Sequence, residues 1–213
     1  MRTTELIQID TSQPDPAAIR RVARVVRSGG VAVIPTDALY AIVADPLNLL
    51  AVGRVFDAKG REAQRSLPLL VADAFMAEEL AKEITDRFRR LTRHFWPGPL
   101  TIIVPGSAKV PLKVTGNTGR LGLRQSKSAV AAALLAELEQ PIIATSANLS
   151  GQPTARTGLE VFAALDGRVD VVLDGGACAG EGATTVDITE PYWRVIKEGA
   201  ISAKEIAECL DSL

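Results

Sequence analysis

The stretch DPAAIRRVARVVRSGG places Ile19, Val22, Val25 and Val26 at helical spacing. Asp15 reads as an N-cap, Pro16 as a first-turn proline, and Gly29-Gly30 as the stop. GVAVIP (30–35) follows as a β-branched run between glycine and proline, the pattern of a buried strand. Beyond it the pattern predicts helices over Leu49 to Asp57, Ala74 to Lys82, Ile84 to Arg93, Ala129 to Leu138, Gly158 to Leu165 and Ala203 to Leu210. Strands are predicted over Leu67 to Val71, LTIIV (100–104), LGLR (121–124), PIIAT (141–145) and VDVVL (169–173), with short ones around Val186 and from Arg194 to Ile196. Strands and helices interleave without a proline-serine linker or an internal repeat. The expectation is one mixed α/β domain spanning residues 1–213, a single twisted sheet with flanking helices.

Composition sharpens that picture. Of 213 residues, 47% are hydrophobic but only 4% aromatic, so the core is built from Ala, Val, Leu and Ile. No apolar run reaches the roughly 20 residues of a membrane span. MRTTELIQID lacks the apolar stretch of a secretory leader, which predicts a cytoplasmic protein without membrane contact. Cys178 and Cys209 form no framework and no metal-ligand spacing, and no metal site is expected. His94, the only histidine, excludes multi-histidine zinc sites and argues against a Ser-His-Asp triad. Chemistry is left to Lys, Arg, Ser, Thr, Asn, Asp and backbone amides. The net charge is −1, yet between Lys59 and Lys127 basic residues outnumber acidic ones about two to one. A polyanion can dock on such a local face.

Polar residues cluster at the ends of apolar strands, where α/β folds place ligands. The segments are PTDALYAI (35–42), KGREAQR (59–65), TSANLSGQPT (145–154) and DGGACAGEGATTVD (174–187). None is a Walker A loop or a GxGxxG turn. TSANLSG gathers Thr145, Ser146, Asn148 and Ser150 behind a buried strand, a group able to hold phosphate oxygens; an ordinary turn uses the same residue types. Lys59 and Arg61, two apart in an extended segment, share one side and suit a triphosphate or carboxylate; a solvated helix end suits them as well. In FWPGPLT, Phe95 and Trp96 read as core beside a rigid turn, and the glycines after Asp174 read as a loop.

Taken in order, these segments resemble the YrdC/TsaC/YciO family of threonylcarbamoyl-AMP synthases. That family's pattern runs PT[ED]xxYGLG, KxR, WPGPLT, a strand ending in Arg, SANxSG, DGG and STVVD, then an Arg before PG. This chain has PTDALYAI, Lys59 with Arg61, WPGPLT, LGLR, TSANLSG, DGG and ATTVD, then IKEGAI, a match from about residue 15 to 202. It looks like the short form, without an extra C-terminal domain. The resemblance implies a deep, positively charged cavity in which L-threonine, bicarbonate and ATP condense to threonylcarbamoyl-AMP and pyrophosphate. Magnesium would come with the ATP. A partner transferase would then modify adenosine 37 of tRNA, with tRNA bound weakly or through that partner. By motif position Lys59, Arg61, Ser146 and Asn148 match the catalytic set around the nucleotide. Thr36 and Arg124 line the cavity, with Arg124 a candidate for the threonine carboxylate. Thr154 and Lys197 fall at nucleotide-contacting positions, and Tyr40, Arg65, Ala144 and Thr184 complete the implied site.

The chain departs from the pattern at Ala38, usually hydroxylic, at Ala41 and Val43, which replace both glycines of YGLG, and at Ala183, which replaces Ser. Lys197 replaces an Arg and loses its bidentate fork, and Arg65 stands where a smaller polar residue or Lys is common. Thr184 is expected to compensate for the missing hydroxyl. The alternative these departures leave open is a YciO-like ATP- and RNA-binding protein with weak or different carbamoyl-acceptor activity.

Overall fold

A computed structural model describes residues 3–60 and 65–211. Its elements in chain order are β1 (Glu5–Gln8), α1 (Pro16–Arg27), β2 (Ala32–Ile34), β3 (Ala41–Ala44), α2 (Leu49–Lys59), β4 (Leu69–Leu70), α3 (Ala74–Leu80), α4 (Asp86–Phe95), β5 (Leu100–Pro105), β6 (Arg120–Arg124), α5 (Ala129–Leu138), β7 (Ile142–Ser146), α6 (Gly158–Leu165), β8 (Val171–Asp174), β9 (Thr184–Asp187), β10 (Arg194–Lys197) and α7 (Ala203–Asp211). The helices start on side-chain caps. Asp15 accepts from the Ala17 amide before α1, Asn48 from Leu50 and Ala51 before α2, and Ser128 from Ala131 before α5. Gly60, left-handed at φ 56°, ends α2 immediately after Lys59.

The strands form one sheet in the order β1-β8-β2-β3-β7-β4-β6-β5-β9-β10. Parallel and antiparallel pairs mix: β8 lies parallel to β1 and β2, whereas β3 and β7 run antiparallel at the centre. Two strands depart from the sequence expectation. Glu5–Gln8 is an edge strand only four residues long, and Ala41–Ala44 is buried on both faces, so neither shows an alternating pattern.

Side chains alternate between two cores. On one face Val33, Ile42, Leu69, Ile102, Leu123 and Val186 pack beneath α2, α3, α4, α6 and α7. Trp96 belongs to this core; its indole N–H donates to Leu100 O at 2.8 Å and its ring meets Phe88 edge-on at 5.8 Å. On the other face Ile34, Val43, Leu70, Ile142 and Leu173 pack beneath α1 and α5. That second core takes nothing from β5, β6, β9 or β10, so half of this face carries no helix among the described residues. The polar side chains of Thr101, Arg124, Thr185 and Lys197 lie on the uncovered half. Among the described residues no helix is long and apolar enough to cross a membrane.

Candidate active site

The uncovered half-face holds a cavity of about 210 Å³. Its floor is a row running across the strands. Leu70 of β4 lies opposite Arg124 of β6. Leu123 pairs with Ile102, which sets Arg124 beside Thr101 of β5. Thr101 lies opposite Thr185 of β9, and Thr185 opposite Lys197 of β10. All five residues line the cavity. Lys197 owes its place to a bulge, with Ile196 the extra residue between the Val195↔Val186 and Lys197↔Thr185 pairs. Gly122 makes room for the floor: a Cβ there would stand 3.1 Å from the Thr101 methyl and 3.2 Å from Pro68 Cβ.

Arg124 is held firmly. Its Nε donates to Gly98 O at 3.0 Å and one terminal nitrogen to Asp37 Oδ1 at 2.5 Å. Ser126 also donates to Asp37 Oδ1, while Asp37 Oδ2 is buried without a partner among the described residues. The guanidinium is therefore oriented by a carboxylate that offsets part of its charge.

The cavity rim is a second cluster. Lys59, only 3% exposed, donates to Ser146 O at 2.5 Å and to Asn148 O and Oδ1 at 3.1 Å each, with Ser146 Oγ at 3.4 Å. Ser146 Oγ donates to Asn148 Oδ1 at 2.6 Å, and the Asn148 amide to Gln152 O at 2.5 Å. Ser146 faces the cavity with Lys59 and Asn148 behind it. Lys59 ends a helix rather than lying in an extended segment, because the left-handed Gly60 follows it. Arg61 lies outside the described residues.

Thr36, Tyr40, Ala144 and Thr154 line the same cavity. The Thr36 hydroxyl closes its own turn by donating to Leu39 O at 2.6 Å. Tyr40 contributes no free phenol: its hydroxyl donates to Gly176 O at 2.7 Å and accepts from Gly175 N at 3.0 Å. Burial pushes this phenol up to about 12, helped by Cys178 and Asp174 and opposed by the Gly175 N–H. Two expected site residues are elsewhere. Thr184 points away from the cavity by strand alternation, and its hydroxyl is consumed by Ile201 O at 2.5 Å and the amides of Gly199 and Ile201. Arg65 borders a separate depression with Arg120, Asp187 and Arg194. Ala38, Ala41 and Ala183 do face the cavity, with methyls where the family pattern has hydroxyls or glycine.

Thr101, Thr185 and Asp37 escaped the sequence reading. They become neighbours of Arg124 only through the register of distant strands, although the alternation of ATTVD already separates Thr185 from Thr184. The basic helix α4 does not reach the cavity: Arg90 and Arg93 border a groove shared with His94, Glu205, Glu208 and Cys209.

Comparison with known proteins follows the same lines. A family model covering Sua5, YciO and YrdC, described as telomere recombination, matches residues 24–199. A threonylcarbamoyl-AMP synthase of Pyrococcus abyssi is 34% identical over 196 residues, 92% of this chain; the chain spans 58% of that relative. The structure of P. abyssi Sua5 complexed with L-threonine superposes with a TM-score of 0.93 at 33% identity, over 97% of this chain and 61% of that one. Escherichia coli YciO superposes with a TM-score of 0.87 at 26% identity, over 97% of this chain and all of that one.

Proposed function

The chain belongs to the Sua5, YciO and YrdC family, and from that premise we propose that it is an ATP-dependent threonylcarbamoyl-AMP synthase. The observation that carries the reading is the floor of the cavity, two cations flanking two hydroxyls on a surface that no helix covers among the described residues. A cationic floor attracts anions. Arg124, oriented by Asp37, takes the carboxylate of the amino acid, because a planar fork matches a carboxylate. Lys197 and Thr154 take phosphate oxygens, and the Lys59–Ser146–Asn148 cluster fixes the rim against which the nucleotide lies. Threonine and bicarbonate give the carbamate with loss of water. A carbamate oxygen then attacks the α-phosphorus of ATP as the bond to the leaving pyrophosphate breaks. Positioning and charge stabilisation supply the rate, and no histidine base is needed.

Magnesium screens phosphate charge in such reactions. Among the described residues no group of three His, Cys, Asp or Glu side chains fits a metal, so the ion would be held by ATP and water. The product would pass in the cytoplasm to a transferase that modifies tRNA. A second reading, favoured by the methyls of Ala38, Ala41 and Ala183 on the cavity wall, keeps the chemistry and changes the amino acid. Incubating the protein with ATP, bicarbonate and each amino acid in turn, and measuring pyrophosphate, tests both. Release with threonine is expected; release only with another amino acid selects the second reading, and none with any amino acid removes the first.

A further inference from the structure

The family pattern carries its hydroxyl at the first position of STVVD, where this chain has Ala183, and a valine at the third, where it has Thr185. Ala183 and Thr185 are two apart and both line the cavity, whereas Thr184 between them faces the other way and spends its hydroxyl on the loop at 199–201. Thr101 stands directly across the ladder from Thr185. Neither the Thr101 nor the Thr185 hydroxyl meets a hydrogen-bond partner among the described residues, and both open onto the cavity. They sit in the middle of the floor, with Arg124 one strand to one side and Lys197 one strand to the other. Adjacent strands are about 4.8 Å apart, so the two cations are anchored roughly 14 Å apart with the hydroxyls between them.

We propose that Thr185, with Thr101 across the ladder, is a substrate-binding residue of this chain. Its hydroxyl holds the carbamate end of the bound amino acid, between a carboxylate at Arg124 and a phosphate at Lys197, and it replaces two residues along the strand the hydroxyl that Ala183 lacks. This rests on the synthase reading. A hydroxyl serves here because it donates to a carbamate oxygen without adding a third cation. Valine at the same place presents the same shape with no donor.

The test is Thr185→Val beside Thr185→Ser and the double variant Ala183→Ser/Thr185→Val. The Thr185 hydroxyl has no partner among the described residues, so Thr185→Val should keep the wild-type melting temperature. Its KM for threonine should rise about tenfold, as expected for losing one hydrogen bond to a charged group, with the KM for ATP unchanged. Thr185→Ser should stay near wild type, and the double variant should recover most of the loss. Wild-type kinetics in Thr185→Val, or no recovery in the double variant, overturns the proposal. If the wild type releases no pyrophosphate, the synthase reading falls and calorimetric binding of threonine in bicarbonate buffer, which supplies the carbamate, decides: weaker binding by Thr185→Val supports the residue's role, while equal binding, or none by either protein, overturns it.

Discussion

Lys59 illustrates how burial changes what a charged residue means. A solvent-reaching lysine can be truncated at little cost. This one is 3% exposed and donates to two backbone carbonyls and two side chains of the Ser146–Asn148 turn. Its removal would leave those acceptors unsatisfied, so lost activity in Lys59→Ala alone would not distinguish chemistry from a loosened rim. Tyr40 gives a cleaner experiment. Its phenol ties β3 to the Asp174-Gly175-Gly176 turn and titrates near 12 instead of 10 because it is buried. A folded-state value above the unfolded one means the folded form keeps its proton longer. The phenol's contribution is thus complete below about pH 10 and is lost as pH rises through 12. Wild type should be more stable than Tyr40→Phe at pH 8, and the difference should shrink between pH 10 and 12, as read from urea midpoints at each pH. A difference constant with pH would place the phenol outside the folded-state network. The motif residues were legible in the sequence as types; which atoms they spend on the backbone was not, because that depends on turns closed by distant strands.

Elements carry the site through register. Helices with caps and periodic apolar faces could be read directly, down to the bounds of α5 and α6. The strands β1 and β3 could not: β1 is a four-residue edge strand with polar ends, and β3 is buried alike on both faces, so neither alternates. The floor row was illegible for a related reason: Lys197 meets Thr185 only because Ile196 bulges out, and no local pattern announces such a bulge. The segment between β8 and β9 is fixed by close backbone approach. A Cβ on Gly180 would stand 2.3 Å from Ala38 O and 2.7 Å from Asp37 O, and one on Gly199 2.6 Å from Gly182 O. Such contacts have no flexible side chain to yield. Gly180→Ala should therefore push the segment off the Thr36–Leu39 turn, at a cost of about 1–3 kcal/mol. It should also raise the KM for the amino acid, because Thr36, Ala38 and Leu39 line one wall of the cavity. Thermal melting and limited proteolysis of the 175–183 segment would register the change, and wild-type values in both would show that the segment tolerates a side chain.

At the scale of the molecule, helix placement decides where ligands go and where they do not. Helices α1 and α5 cover one half of their face and leave the other to polar residues, while α4 lies on the opposite face against α7. The arginines of α4 are therefore remote from the cavity floor, and several are already engaged. Arg89 meets Asp86 at 3.3 Å, Arg87 donates to Glu190 O and Arg90 to Leu210 O, and nearby Lys109 meets Glu79 at 3.6 Å. Surface pairs of this kind contribute little and separate readily in salt, so the helix still presents exposed Arg89 and Arg93 to a polyanion. With a net charge of −1 there is no global field to strengthen such an encounter. Binding of tRNA by the isolated chain is expected to be micromolar and to fall steeply between roughly 50 and 200 mM salt, since affinity would come from counterion release. Arg89→Glu/Arg93→Glu should weaken it and flatten the salt slope by about two phosphate contacts, while pyrophosphate release without RNA stays at the wild-type rate. Filter binding at the two salt concentrations reads this directly. Equal binding by the variant and the wild type would make α4 a solvated face, and under the proposed function contact with tRNA would then fall to a partner transferase.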